Sequence, residues 1–192
     1  MVQEIDIWLE RLSSLHKSQM RRAANNEGIQ FVHAEILQYL SISNRYSNTA
    51  QALSEYLGQT KGSISQSLKF LEKGGYVKRQ TCKDDKRCTR LFLTAKAKRA
   101  VNRISSYLAP NMGETGTDEA GMGGTRAASD AVKSLLSSWQ HKSGNQGFGL
   151  CESCRFHRTL DNSKFECGLT NEPLAAAEVK LICREHEFSN EF

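Results

Sequence analysis

Along most of the first 108 residues the apolar positions repeat every three or four residues, which is the signature of helices with one buried face. Ile5, Trp8, Leu9, Leu12 and Leu15 predict a first helix from Gln3 to Asn25, closed by Gly28. Ile36, Leu37 and Leu40 predict a second over Phe31 to Ser41. A third should start behind Asn48 as N-cap, with Gln51 three residues on as in a capping box. Ala52, Leu53 and Leu57 form its apolar side, and Gly58 suits its end. A fourth, Lys61 to Lys73, follows almost at once behind the cap Thr60, with Ile64, Leu68 and Leu71 inward, and stops at Gly74-Gly75. Two short helices joined by a three-to-four-residue turn containing glycine form a helix-turn-helix pattern, although a plain helical hairpin has the same outline.

The period then changes to two. Tyr76 to Cys82 and Cys88 to Thr94 read as strands, and the five residues between them, Lys83-Asp-Asp-Lys-Arg87, are all charged. A β-hairpin with a basic tip directly behind a helix-turn-helix is a wing. Thr94 caps a further helix, Ala95 to Leu108. Pro110 to Thr125 is rich in Gly and Thr without periodicity and reads as a mobile linker. Val132, Leu135, Leu136 and Trp139 then give one more amphipathic helix, behind the cap Ser129 and running to His141. The expected organisation is a winged helix-turn-helix core over 1–108, a linker over 109–127, a helix over 128–146 and a cysteine-bearing module over 147–192. The fold class is mainly α with a small β-hairpin wing, plus a short Cys-rich C-terminal module.

Charge sharpens this picture. The net charge of +5 is mild, but between Thr60 and Ser105 there are 13 Lys/Arg against 3 Asp/Glu. From Leu150 to Phe192 the balance reverses, with 5 Lys/Arg against 8 Asp/Glu. A basic patch on the helix-turn-helix and wing suits a polyanion, whose phosphates release counterions when neutralised. The start of the chain lacks a cationic stretch followed by an apolar run, and no segment approaches the roughly 20 apolar residues of a membrane helix. A soluble, cytoplasmic protein with no membrane partner is therefore expected.

The segment Asn48 to Ala100 resembles the MarR (multiple-antibiotic-resistance regulator) family of winged-helix proteins. The residues that carry the likeness are Ala52-Leu-Ser-Glu-Tyr-Leu-Gly58 and Ser63-Ile-Ser-Gln-Ser-Leu-Lys-Phe-Leu-Glu-Lys-Gly-Gly-Tyr-Val77. Asp85-Lys-Arg87 is similar to the family's Asp-x-Arg wing signature, and Leu91-Phe-Leu-Thr94 leads into the next helix as in the family. The resemblance implies a homodimer built from the first and last long helices, with a recognition helix in the major groove and a wing at the adjacent minor groove. A long Gly-rich insert and a four-cysteine tail depart from the family pattern. The expected partner is double-stranded DNA carrying a palindromic operator, with half-sites about one helical turn apart. Candidate contacts on the recognition helix are Thr60, Lys61, Ser63, Ser65, Gln66 and Lys69, with Gln66 suited to bidentate adenine readout. On the wing they are Lys83, Asp85, Lys86, Arg87 and Arg90. Arg87 leads because a guanidinium suits a narrow, electronegative minor groove, with Asp85 orienting it.

The tail carries the second signal. Cys151, Cys154, Cys167 and Cys183 lie within 33 residues, a clustering that predicts a four-thiolate metal site. A module of this size with few large apolar residues needs such a staple. A single Cys-x2-Cys followed by two isolated cysteines is similar to the spacing of high-potential iron–sulfur proteins, as are Cys151-Glu-Ser-Cys-Arg-Phe156 and Cys167-Gly-Leu169. The reading leans to a [4Fe–4S] cluster, with Zn2+ as the alternative. His186 could substitute as a ligand but reads more as a residue behind the ligands or on the surface, and His157 carries the same ambiguity with weaker support. Cys82 and Cys88 bracket the wing tip and are expected to be unpaired thiols, although a hairpin could set them face to face.

These observations favour a redox- or metal-responsive transcription regulator. A structural zinc site with regulation by an unknown small molecule is an alternative, and an electron-transfer or partner-docking module on a winged-helix scaffold is another. The chain has no evident nucleophile–base pair, phosphate-binding Gly loop or paired acid/base carboxylates, so an enzyme is not expected.

Overall fold

Helix α1 (Glu4–Asn26) opens with a reciprocal capping box between Gln3 and Asp6 and ends before Gly28, whose φ of +66° lets the chain turn sharply. The computed structural model describes residues 3–82, 87–109, 119–143, 147–160 and 164–188. Helices α2 (Phe31–Ile42), α3 (Ala50–Leu57) and α4 (Lys61–Lys73) follow, then strands β1 (Val77–Thr81) and β2 (Thr89–Leu93) and helix α5 (Ala95–Leu108). The inward positions expected of α2, α3 and α4 are buried together: Ile36, Leu37, Leu53, Ile64, Leu68 and Leu71 are all fully inaccessible. Met20 and Ala23 of α1 and Ile104 and Leu108 of α5 close this core from the other side.

The antiparallel pair β1–β2 runs from Val77↔Leu93 to Thr81↔Thr89, and Val77 and Leu91 point into the core. Thr60 and Thr94 cap α4 and α5 as expected, each accepting from the backbone N–H three residues on. At α3 the expectation is corrected. Thr49 is the N-cap and accepts from Ala52 N–H, while Asn48 is buried and donates its side-chain amide to Leu91 O. Leu91 N–H in turn donates to Asn48 O, so this residue fastens the helix-turn-helix to the wing strand. The demand of β2 for backbone partners outweighs local capping.

Helix α6 spans Glu119–Ser143. It therefore occupies much of the region predicted as a linker over 109–127, and Ser129 lies inside it; residues 110–118 are outside the described residues. Strong helix formers between the glycines (Glu119, Ala120, Met122, Arg126, Ala127, Ala128) favour extension, and adding a turn to a helix already nucleated costs little.

The C-terminal module is built from two small antiparallel sheets. In one, β3 (Gly147–Leu150) pairs with β7 (Ile182–His186); in the other the order is β4 (His157–Leu160), β5 (Lys164–Cys167) and β6 (Glu172–Leu174). Its buried core contains Cys151, Leu174 and Val179, with Phe165, Cys167 and Tyr46 packed on them. Tyr46 comes from the loop between α2 and α3, so the module is seated on the winged-helix domain. Phe148 of β3 adds a second anchor, with its ring 5.2 Å from Tyr56 and 6.3 Å from Tyr39.

Candidate functional site

The outer side of α4 carries the predicted contacts. Lys61, Ser63, Gln66 and Lys69 are exposed and Ser65 is half-buried, while Ile64, Leu68 and Leu71 hold the opposite side. The Thr60 hydroxyl accepts from Ser63 N–H, and the Ser63 hydroxyl donates to Gln59 Oε1 at 3.1 Å. Both hydroxyls are thus partly committed to shaping the helix start, whereas Gln66 and Lys69 project from its middle. Phe70 on the same helix is also exposed, its ring stacked 4.4 Å above His33. Burial lowers the pKa of His33 below the usual imidazole value, which keeps it neutral.

On the wing, Arg87 is exposed and Arg90 is half-buried. Arg90 Nη1 is buried without a hydrogen-bond partner among the described residues, which makes Arg90 a less outward contact than the sequence implied. Lys83, Asp85 and Lys86 lie outside the described residues. The basic segment is not uniformly available to a polyanion. Arg79 pairs with Glu72, Arg103 forks onto Glu27 of the α1 end, and Lys96 donates to Gly74 O beneath the Tyr76 ring. The expectation of two unpaired thiols at the wing is corrected as well: Cys82 and Cys88 form a disulfide. Cys82 N–H donates to Cys88 O just beyond the Thr81↔Thr89 pair, and the Cα separation of 5.4 Å lies in the usual range for a bridge.

The four remaining cysteines meet. Cys151 and Cys154 flank the 3-10 turn Cys151–Ser153, Cys167 ends β5 and Cys183 lies in β7. All four line one cavity of about 60 Å³, together with Asn44, Tyr46, Phe156, His157, Leu169 and Leu174. Burial, reinforced by the neighbouring Cys183, Cys154 and Cys167, pushes the Cys151 thiol up to about 11. Burial also raises Cys183, although Asn44 and Ser47 hydrogen-bond to it and favour its thiolate. Among the described residues, no group of three or more His, Cys, Asp or Glu is set close enough together to hold a metal ion. The cysteines face a common space from separate walls.

The two histidines exchange the ranks that sequence reasoning assigned them. His157 lines the cavity, its Nδ1 3.8 Å from Cys151 Sγ. His186 is buried on another side of β7, where its Nε2 lies 3.0 Å from Ser153 Oγ and its ring meets Phe188 edge-on. Cys183 and His186 are separated by an irregularity in the β3–β7 pairing, which lies between the Gly149↔Cys183 and Gly147↔His186 pairs. Gly149 makes room for the ring: a Cβ there would stand 2.6 Å from His186 Nδ1. Gly149→Ala is expected to destabilise the protein by about 1–3 kcal/mol, read as an earlier urea midpoint. An unchanged midpoint would show that the ring can move away freely.

Sequence reasoning missed Asn44, Tyr46 and Ser47. Their polar run ahead of α3 reads as a surface loop, yet Asn44 and Ser47 are buried.

A recognition helix behind a short turn, followed by a two-stranded wing packed on the same core, defines a winged helix-turn-helix domain. Residues 27–87 match the model of the MarR family. The fold is similar to that of a MepR variant from a multidrug-resistant S. aureus clinical isolate, at 19% identity and a TM-score of 0.61, covering 73% of this chain and 100% of that one. A MarR transcriptional regulator from Methanosarcina mazei Go1 is similar at 21% identity and a TM-score of 0.57, with 71% and 96% covered. A transcriptional regulator from Thermotoga maritima gives 22% identity and a TM-score of 0.52, with 76% and 100% covered. About a quarter of this chain lies outside each of these alignments. Comparison with curated proteins gives no match. Among the described residues no helix is long and apolar enough to cross a membrane.

Proposed function

We propose that this chain is a dimeric, DNA-binding transcription regulator of the MarR type whose C-terminal cysteines hold a [4Fe–4S] cluster. The observation that carries the DNA-binding reading is the exposed row of Lys61, Gln66 and Lys69 on α4 beside the Arg87 wing. Hydroxyl, amide and ammonium groups on a helix that can enter a major groove combine phosphate positioning with base readout. Dimerisation is supported by the exposure of Ile5, Trp8, Leu12 and Leu15 on α1 and of Val132, Leu136 and Trp139 on α6, apolar rows that a second copy would cover.

For the metal, the donor set is four thiols around one cavity, with His157 beside it. A single zinc holds its thiolates about 3.8 Å apart, given Zn–S bonds of about 2.3 Å. The feature that favours a polynuclear cluster over one ion is the spacing, a single Cys-x2-Cys followed by two isolated cysteines. Cys151, Cys154, Cys167 and Cys183 would supply its ligands, and the cluster would supply redox and iron sensitivity. The test uses full-length protein purified without oxygen and a duplex from its own promoter region, titrated with salt in a gel-shift assay. Binding that weakens steeply with salt, by a protein of dimeric mass, is expected. A monomer that ignores the duplex at every ionic strength would overturn the reading.

A further inference from the structure

The cysteine module meets the winged-helix domain through Phe148, packed on Tyr39 and Tyr56, and through a set of hydrogen bonds at the loop over 43–48 between α2 and α3. Ser43 forms a parallel bridge with Ile182, and Asn44 N–H donates to Ile182 O at 2.9 Å. Two residues along the strand, Arg184 N–H donates to Ser47 Oγ at 2.8 Å, and that hydroxyl donates to Asn44 Oδ1 at 2.7 Å. Cys183 lies between these two attachments, and Asn44 lines the same cavity. The Arg184 guanidinium forks onto the Glu55 carboxylate of α3, and Glu55 O accepts the Gly58 N–H that closes the turn into α4. At the far end of the loop, Asn48 is bonded to Leu91 of the wing. Arg45 and Tyr46 add exposed contacts to Glu172 on β6.

We infer that Arg184, Ser47 and Asn44 are positioning residues that couple occupancy of the four-cysteine site to the DNA-reading unit of the same subunit, with the loop over 43–48 as the element that moves. This rests on the cluster reading given above. The physical ground is the module's small core: among the described residues its buried apolar cluster is Cys151, Leu174 and Val179, with His186 buried apart from it. Such a core holds its shape poorly unless the four thiolates are tied together. When they are released, β7 loosens, and the loop loses partners for Asn44 N–H and for the Ser47 hydroxyl, both buried. Because that loop runs at its C-terminal end into both the wing attachment at Asn48 and the α3 cap at Thr49, its rearrangement tilts α4 and β2 together. Coupling of this kind requires that DNA prefer one of the two loop states.

The experiment measures Kd for a promoter duplex with the cluster-loaded protein and again after iron is removed by a chelator under reducing, anaerobic conditions. Wild type is expected to change affinity by about tenfold or more. Arg184→Gln and, separately, Glu55→Gln should keep full iron and sulfide content but reduce the change to within about threefold. The second variant guards against Arg184→Gln failing to fold, and neither touches a cysteine. Variants that retain the full wild-type difference would overturn the route. A wild type that holds iron yet binds DNA equally well without it would overturn the coupling while leaving the cluster intact. A wild type without iron or acid-labile sulfide would instead overturn the cluster reading and the coupling with it.

Discussion

Cys183→Ser should yield a colourless protein without iron or acid-labile sulfide, while the circular-dichroism signal of the helical core persists. Cys183 sits on β7, and its sulfur shares a cavity with three other thiols from two further segments, the turn at 151–154 and the end of β5. Serine offers a hard oxygen with a far higher pKa and a shorter reach, a poor substitute for thiolate at a cluster. The winged-helix core should survive, because its buried residues run from Met20 to Leu108 and include no residue of the module. Metal analysis and the visible spectrum of anaerobically purified protein read the result. Were metal retained at full occupancy, His157 would be the first residue to suspect as a replacement, given its place beside Cys151. A Cys183→Ser/His157→Ala double variant separates that case. Full occupancy in both variants would end the four-cysteine assignment.

Arg87→Ala and Gln66→Ala should both weaken DNA binding, in different ways. The wing guanidinium is a permanent charge, so its loss should lower affinity for many duplexes alike and reduce the salt slope by about one. Gln66 is neutral and exposed on the middle of α4. Its loss should spare the salt slope and instead cost about 1–3 kcal/mol at one base pair, as relaxed discrimination there. Salt-titrated binding to an operator and to single-base variants distinguishes the two. Equal effects on every duplex from Gln66→Ala would show that α4 contacts phosphates only. An unchanged salt slope in Arg87→Ala would remove the wing from the interface.

Several features were legible because they are local. The caps Thr60 and Thr94 lie three residues before the N–H groups they serve, and the apolar rows of α2 to α4 declare their buried sides through spacing alone. Local reasoning failed where two local preferences competed. Asn48 is a good cap by type, but β2 lacked a partner for Leu91, and that need directed Asn48 inward. Gly-rich composition pointed to a linker, yet α6 runs through from Glu119 because helix extension is cooperative. Cys82 and Cys88 read as unpaired thiols on sequence, whereas the ladder beyond Thr81↔Thr89 set them opposite each other.

The chain's own order of residues determined a helix-turn-helix with a charged wing and a cluster of four thiols behind it, since periodicity, caps and cysteine spacing act over a few residues at a time. Tertiary structure alone decided where that cluster sits. The bond from Arg184 to Glu55 joins positions 129 apart, and the one to Ser47 joins positions 137 apart. No short-range pattern encodes such pairs; they form because buried polar groups must find partners wherever the packed elements bring them. The same necessity placed His157 in the cysteine cavity and His186 outside it, and attached the module to the loop that leads into the helix-turn-helix.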